Sequence, residues 1–189
     1  MTDTISTRST DASLAPDPGT YKIDSSHSMV EFVGRHLVVT KVRGRFTDFA
    51  GEIVVGESPE DSAVNVTIQA ASIDSGDERR DEHLRGPDFL DVENFPTLEF
   101  HNTKTEQSAR GVKVEGDLTI KGVTRPVVLD AEYDGSFGDP WGGQRIGFSA
   151  TTEIDREDWG LTWNVALESG GVLVSKKVKI ELTVSAVKH

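Results

Sequence analysis

Five histidines are the side chains of this sequence best suited to acid–base or metal chemistry: His27, His36, His83, His101 and His189. No two of them have the spacing of a metal site, such as a pair one helical turn apart, and Asp24 with His27 is only a loose pairing. The sequence therefore predicts no metal site and no cofactor.

His36 is the histidine most relevant to binding. It follows Val30 and Phe32 at even intervals, so it faces the interior if this segment is a strand. There its imidazole would contact the polar head of a ligand or satisfy a buried backbone carbonyl. The second interpretation is favoured, and both stay open.

Nucleophilic catalysis has little support. The Cys count is 0, so there is no thiolate nucleophile. No serine lies in a Gly-x-Ser-x-Gly turn, and Gly142-Gly143 is typical of a hairpin tip, not a phosphate loop. We predict that the protein is not an enzyme. The alternative is a small enzyme acting on an apolar substrate, with His36 or His83 as its base.

Arg156 lies just before two indoles, Trp159 and Trp163, in the polar segment 154–163. Its guanidinium would pair with a carbonyl or phosphate at the mouth of a cavity, or with a neighbouring carboxylate, which is the favoured interpretation. Trp159 and Trp163 are predicted to pack at a rim or in the core, because an indole ring needs an apolar surface to pack on and one acceptor for its N–H group.

Most of the chain that must position these residues alternates apolar and polar residues. The alternation runs through residues 64–70, 112–120, 127–133, 146–154 and 172–184. Period two is typical of antiparallel strands with one buried face. The turns predicted between strands are at residues 56–59, 121–122, 138–143 and 170–171.

One segment departs from this rhythm. Ser75 and Glu78 have the spacing of a capping box, and residues 77–85 predict a short polar helix. An apolar elbow follows at residues 89–95 and ends at Pro96. Many strands with one helix indicate an all-β fold, and a closed barrel is favoured over a sandwich because closure leaves no free edge.

Small residues interrupt the inward-facing series: Gly34, Gly44, Gly116, Ala131 and Ala150. They would open a long apolar cavity, or they would let the sheet bend and close with no ligand involved. If the second explanation holds, the barrel is filled and serves as a stress-related interaction module.

Length and charge narrow the functional classes. The chain has 189 residues and a formal net charge of −12, which disfavours nucleic acid and anionic membrane surfaces as partners. No apolar run reaches the length of a membrane-spanning helix. We predict a flexible tail over residues 1–18, a barrel domain over residues 19–189, a cytoplasmic location and a possible homodimer.

Several segments, in order, resemble the YceI-like family of polyisoprenoid-binding proteins. They include residues 21–28 (YKIDSSHS), 42–46 (VRGRF), 80–85 (RDEHLR), 88–91 (DFLD), 95–100 (FPTLEF), 116–127 (GDLTIKGVTRPV), 147–150 (GFSA) and 156–161 (REDWGL). The similarity covers roughly residues 19–187. Lys176 lies in a segment more basic than is usual in the family, and it would mark either a bulge or a mouth position.

The resemblance implies an extended eight-stranded antiparallel, lipocalin-like barrel. Its lumen would hold a polyisoprenoid lipid, such as a polyprenyl derivative or an isoprenoid quinone, for binding, transport or storage. The residues that would line the pocket are Phe32, His36, Val42, Phe46, Phe89, Phe95, Phe100, Leu118, Ile120, Phe148 and Ala150, with Arg156, Trp159 and Trp163 at its mouth.

Overall fold

The alternating segments form one antiparallel sheet that closes on itself. A computed structural model describes residues 15–37, 39–139, 143–168 and 171–189. The predicted tail lies mostly outside these residues, as do parts of the turns predicted at 138–143 and 170–171. The strands are β1 (Gly19–Ile23), β2 (Met29–His36), β3 (Thr40–Phe46), β4 (Phe49–Val55), β5 (Ala63–Gln69), β6 (Ile73–Asp74), β7 (Thr97–Ser108), β8 (Gly111–Ile120), β9 (Val123–Asp139), β10 (Gly143–Asp155) and β11 (Lys177–Lys188).

Closure depends on β11, which has two partners along one edge. Its C-terminal part pairs with β1 and its N-terminal part with β2, so these two strands lie end to end in one barrel position. In the same way β3 pairs with β2 while β4 pairs with β1, and β6 pairs with β3 while β5 pairs with β4. With these positions merged, the sheet is the predicted closed, eight-stranded antiparallel barrel.

The break between β1 and β2 is held by polar side chains. The backbone carbonyl of Ser185 on β11 accepts hydrogen bonds from the Asp24 amide at 2.8 Å and from the Ser28 hydroxyl at 3.1 Å. The Asp24 carboxylate accepts from the Ser26 hydroxyl at 2.5 Å and from the Arg145 guanidinium at 2.7 Å. These bonds to the ionised form hold the pKa of Asp24 well below its ordinary value.

A helix and the apolar elbow cover one end of the barrel, as predicted. The helix α1 spans Glu78–Arg85. Its N-cap is Asp77, whose carboxylate accepts from the Arg80 amide at 2.9 Å. The predicted capping role of Ser75 is therefore wrong, because its hydroxyl instead donates to the buried carboxylate of Asp81.

The hairpin between β8 and β9 lies under the elbow. Lys121 and Gly122 both have positive φ, 49° and 73°, as in the two-residue turn that matches the twist of a β-hairpin. The Lys121 ammonium donates to the Pro87 carbonyl at 2.6 Å. The turn predicted from sequence at these two residues is confirmed, and it ties the elbow to the barrel rim.

Short 3₁₀ turns complete the fold at Pro59–Asp61, Ala70–Ser72 and Arg156–Trp159. The last of them leads into residues 160–168, which together with residues 171–176 cross the same end of the barrel as α1. We call this the helix end. The tail end is the opposite one, formed by residues 15–18, residues 56–62 and the β7–β8 turn.

Candidate functional site

The barrel encloses an apolar cavity of about 950 Å³. Its wall includes residues of both the helix end and the tail end, such as Leu84 and Pro18 respectively. Valine, leucine, isoleucine and phenylalanine side chains of the inward register form its middle. The volume lies in the upper part of the range of small-molecule sites, about 300–1,000 Å³. The filled barrel considered from the sequence is therefore wrong.

The structure brings nearly all of the predicted pocket residues together on this wall. They are Phe32, His36, Val42, Phe46, Phe89, Phe100, Leu118, Ile120, Phe148, Ala150, Arg156, Trp159 and Trp163. Phe95 does not lie on the wall, because its ring packs on Gly122 at the β8–β9 turn. The elbow turns this ring away from the lumen.

The inward glycines have two different roles. Gly34 has open space where a side chain would be, and it lines the cavity. Gly44 is covered by the ring of Phe32, and Gly116 by the ring of Phe100. These two glycines accommodate an aromatic ring from the neighbouring strand, so they provide no free volume. The cavity explanation therefore holds at Gly34, whereas Gly44 and Gly116 make room for a ring, and a role in bending the sheet stays a prediction.

Arg156 is a buried guanidinium held by backbone carbonyls. It donates to the carbonyls of Ser175 at 2.9 Å, Val174 at 3.4 Å and Leu161. Burial lowers its pKa from the ordinary value. The local salt bridge favoured from the sequence is wrong. Arg156 instead holds Leu161, Val174 and Ser175 together at the helix end.

The carboxylate that follows Arg156 has another partner. Glu157 pairs with Lys176 at 2.7 Å, and this ion pair raises the pKa of the lysine. Lys176 directly precedes β11, so it marks no bulge; it lies at the helix end, although it is not among the wall residues.

Aromatic rings close the helix end beside Arg156. Trp163 lies edge-on to His83 with ring centroids 4.5 Å apart and is 5.5 Å from Phe89. The Arg156 guanidinium lies 5.8 Å from the Phe89 ring centroid, within cation–π range. Trp159 is buried and donates its indole N–H to the Leu118 carbonyl at 2.9 Å. The packing role predicted for both indoles is thus what the structure shows.

The sequence matches the YceI-like domain over residues 21–186. The chain belongs to the YceI-like family. One relative, the UPF0312 protein of Serratia proteamaculans, is 41% identical over 164 residues, which are 85% of this chain and 84% of the relative.

Solved structures of YceI-like barrels resemble the present one. The Campylobacter jejuni YceI protein superposes with a TM-score of 0.70 at 30% identity, covering 82% of this chain and 90% of its own. A polyisoprenoid-binding domain from Saccharophagus degradans, implicated in plant cell wall breakdown, has the same fold with a TM-score of 0.65 at 16% identity. That superposition covers 92% of this chain and 100% of the domain.

Several wall residues of this YceI-like barrel were missed by the sequence reasoning. The aliphatic ones, such as Val112 and Leu182, share the parity of residues already chosen, so the alternation alone could have identified them. Arg79 and Arg80 at the helix end carried no such signal. The same holds for Ala15, Pro16 and Pro18. Asp17 between them is not on the wall and accepts from the Gln144 amide at 2.6 Å.

Histidines of the YceI-like barrel lie beside carboxylates. Across the described residues, no group of three or more His, Cys, Asp or Glu side chains could hold an ion. His27 pairs with Asp24 at 2.8 Å and His83 with Asp88 at 2.9 Å. None of the described helices is long and apolar enough to cross a membrane.

Proposed function

We propose that this YceI-like barrel binds a polyisoprenoid lipid, either a polyprenyl derivative or an isoprenoid quinone, in its lumen and transports or stores it. The observation that carries this proposal is the continuous apolar cavity between the two ends of the barrel. Such a wall suits a long hydrocarbon, because a polar solute would lose its hydrogen bonds to water there without replacement.

The gain from filling this cavity is large enough for useful affinity. Each carbon of a chain contributes about 0.8 kcal/mol when it leaves water, so one isoprene unit contributes about 4 kcal/mol before losses. Immobilising the chain and the protein opposes much of this gain. We therefore expect dissociation constants between micromolar and nanomolar.

The family supports the same class of ligand. The Saccharophagus degradans domain that shares this fold is described as polyisoprenoid-binding. Its identity to the present chain is only 16%, so its choice of lipid does not carry over residue by residue. The lumen of this chain supports a polyisoprenoid ligand, because it is long and has an apolar wall.

Native mass spectrometry of the freshly purified protein tests the proposal. We expect an added mass that disappears after organic extraction, and an extract that contains an isoprenoid lipid. Delipidated protein should then bind an added polyprenol. An extract without lipid, together with no binding of added polyprenol, would refute the function.

We also propose that the lipid leaves the protein chemically unchanged. Lipid recovered after incubation with delipidated protein should have its original mass, whereas a new product that depends on His36 or His83 would support the enzymatic alternative. The homodimer and the cytoplasmic location stay predictions, tested by sedimentation and by cell fractionation.

A further inference from the structure

The hydroxyl of Tyr133 is buried without a hydrogen-bond partner. Within the part of the chain that the structure describes, no other buried side-chain nitrogen or oxygen lacks a hydrogen-bond partner. Tyr133 lies on β9 directly opposite Phe148 of β10, and their ring centroids are 5.4 Å apart. Both residues line the cavity. The ring is thus held in place while its hydroxyl lacks a partner.

Other polar side chains on this part of the wall have partners within the protein. Thr105 accepts a hydrogen bond from the Asn102 amide at 3.2 Å. The Gln107 amide donates to the Gly111 carbonyl at 2.9 Å. A buried hydroxyl without a partner costs about 1–3 kcal/mol, and native proteins rarely retain one without a reason. A polar atom of the ligand would supply the missing partner of Tyr133.

The distribution of charge on the cavity wall indicates what kind of ligand atom would contact the Tyr133 hydroxyl. The arginines of the described wall are Arg35, Arg79, Arg80 and Arg156, and all four lie toward the helix end. Tyr133 lies toward the tail end, beyond the register pair of Ala131 and Val112. A phosphate beside Tyr133 would be a buried anion without a cation from the wall, which is strongly unfavourable. A neutral oxygen needs no such cation.

Two of the four arginines at the helix end are moreover engaged by the protein. Arg80 donates to the hydroxyl of Ser75 at 2.7 Å and to its carbonyl at 2.8 Å. Arg156 donates to three backbone carbonyls. Neither guanidinium needs an anionic head to satisfy it, whereas Tyr133 needs a partner.

We propose that the Tyr133 hydroxyl binds a neutral oxygen in the head of the lipid, a hydroxyl, phenol or carbonyl oxygen. The head then lies toward the tail end and the hydrocarbon chain extends toward α1. This inference rests on the proposed function, and it adds the class of headgroup and the orientation of the lipid.

Hexaprenol and squalene test the inference, because they have the same number of carbons and only hexaprenol carries an oxygen. Tyr133→Phe removes the hydroxyl and keeps the ring against Phe148. We expect this variant to bind hexaprenol roughly three- to tenfold more weakly and squalene unchanged. The lipid-free variant should be at least as stable as the wild type, because an unsatisfied buried group has been removed.

Tyr21→Phe is the matched control. The Tyr21 hydroxyl already donates to the Asp17 carbonyl at 2.8 Å, and the residue is not on the cavity wall. This variant should lose stability and keep the ratio of hexaprenol to squalene affinity of the wild type.

Three results would overturn the inference. One is a Tyr133→Phe variant that binds both lipids as the wild type does, which is also the result expected if only water contacts the hydroxyl. Another is an equal loss for both lipids. The third is tighter binding of hexaprenyl phosphate than of hexaprenol, lost on Arg79→Gln but not on Tyr133→Phe. If wild-type protein bound neither hexaprenol nor squalene, the proposed function itself would fail.

Discussion

Gly34 is the position where one substitution should block the cavity without disturbing the barrel. A Cβ added there meets no atom within 4 Å, and the glycine lies on the cavity wall. In Gly34→Trp the indole would therefore occupy space that the lipid needs. Because it fills an apolar cavity, it should leave the stability of the lipid-free barrel unchanged or raise it.

The expected loss of affinity follows from the displaced hydrocarbon. An indole side chain would displace at least about one isoprene unit from the lumen, and the five carbons of that unit contribute about 4 kcal/mol when buried. The chain can shift within the cavity and recover part of this, so we expect a net loss of about 2–4 kcal/mol. That corresponds to an increase of roughly 30- to 900-fold in the dissociation constant.

The assay is a titration of delipidated protein with hexaprenol, combined with thermal unfolding of the lipid-free form. Gly138→Trp is the matched control, because Gly138 lies on β9, is exposed, also has no atom within 4 Å of an added Cβ, and is not on the wall. A folded Gly34→Trp variant that binds hexaprenol as tightly as Gly138→Trp does would refute the assignment of the lumen as the binding site.

Three further predictions concern stability. Asp24→Asn should lower the free energy of unfolding at pH 7 by about 2 kcal/mol in urea titrations, because bonds to an ionised group are lost. Since the folded pKa of Asp24 lies below the unfolded value of about 3.9, this difference should shrink as the pH falls below about 4; a constant difference would contradict the reasoning. Arg156→Met should cost about 3 kcal/mol or more because three carbonyls lose their donor, and a loss under about 1 kcal/mol would contradict this. Gly116→Ala should cost about 1–3 kcal/mol because its Cβ meets the Phe100 ring, whereas Gly34→Ala should change stability by less than about 0.5 kcal/mol; equal effects would argue against the two roles assigned to these glycines.

Local pattern was a good guide to the elements and to the direction of side chains. The alternation in residues 112–120 corresponds to β8, and the polar run at 77–85 corresponds to α1 with its N-cap. The same parity placed Leu118 and Ala150 on the cavity wall. These features follow from neighbouring residues alone, because the period of a strand or helix is set by its own backbone.

Contacts across the barrel were beyond the reach of that reasoning. Phe95 belongs to the apolar elbow by sequence, yet the turn at Gly122 takes up its ring. The partners of Arg156 are carbonyls up to 19 residues away, whereas spacing along the sequence favoured the carboxylates next to it. Such partners depend on which residues the closed sheet brings together.

By itself the sequence determined an antiparallel barrel with an apolar inner face and one helix near an end. Only the tertiary structure decided how that inner face is filled: Gly34 opens on the lumen, Gly116 receives a ring, and Tyr133 is left with a hydroxyl that the protein does not satisfy. The physical reason is that inward direction is a property of each strand, whereas empty space between inward side chains depends on the register and curvature of all eight barrel positions together.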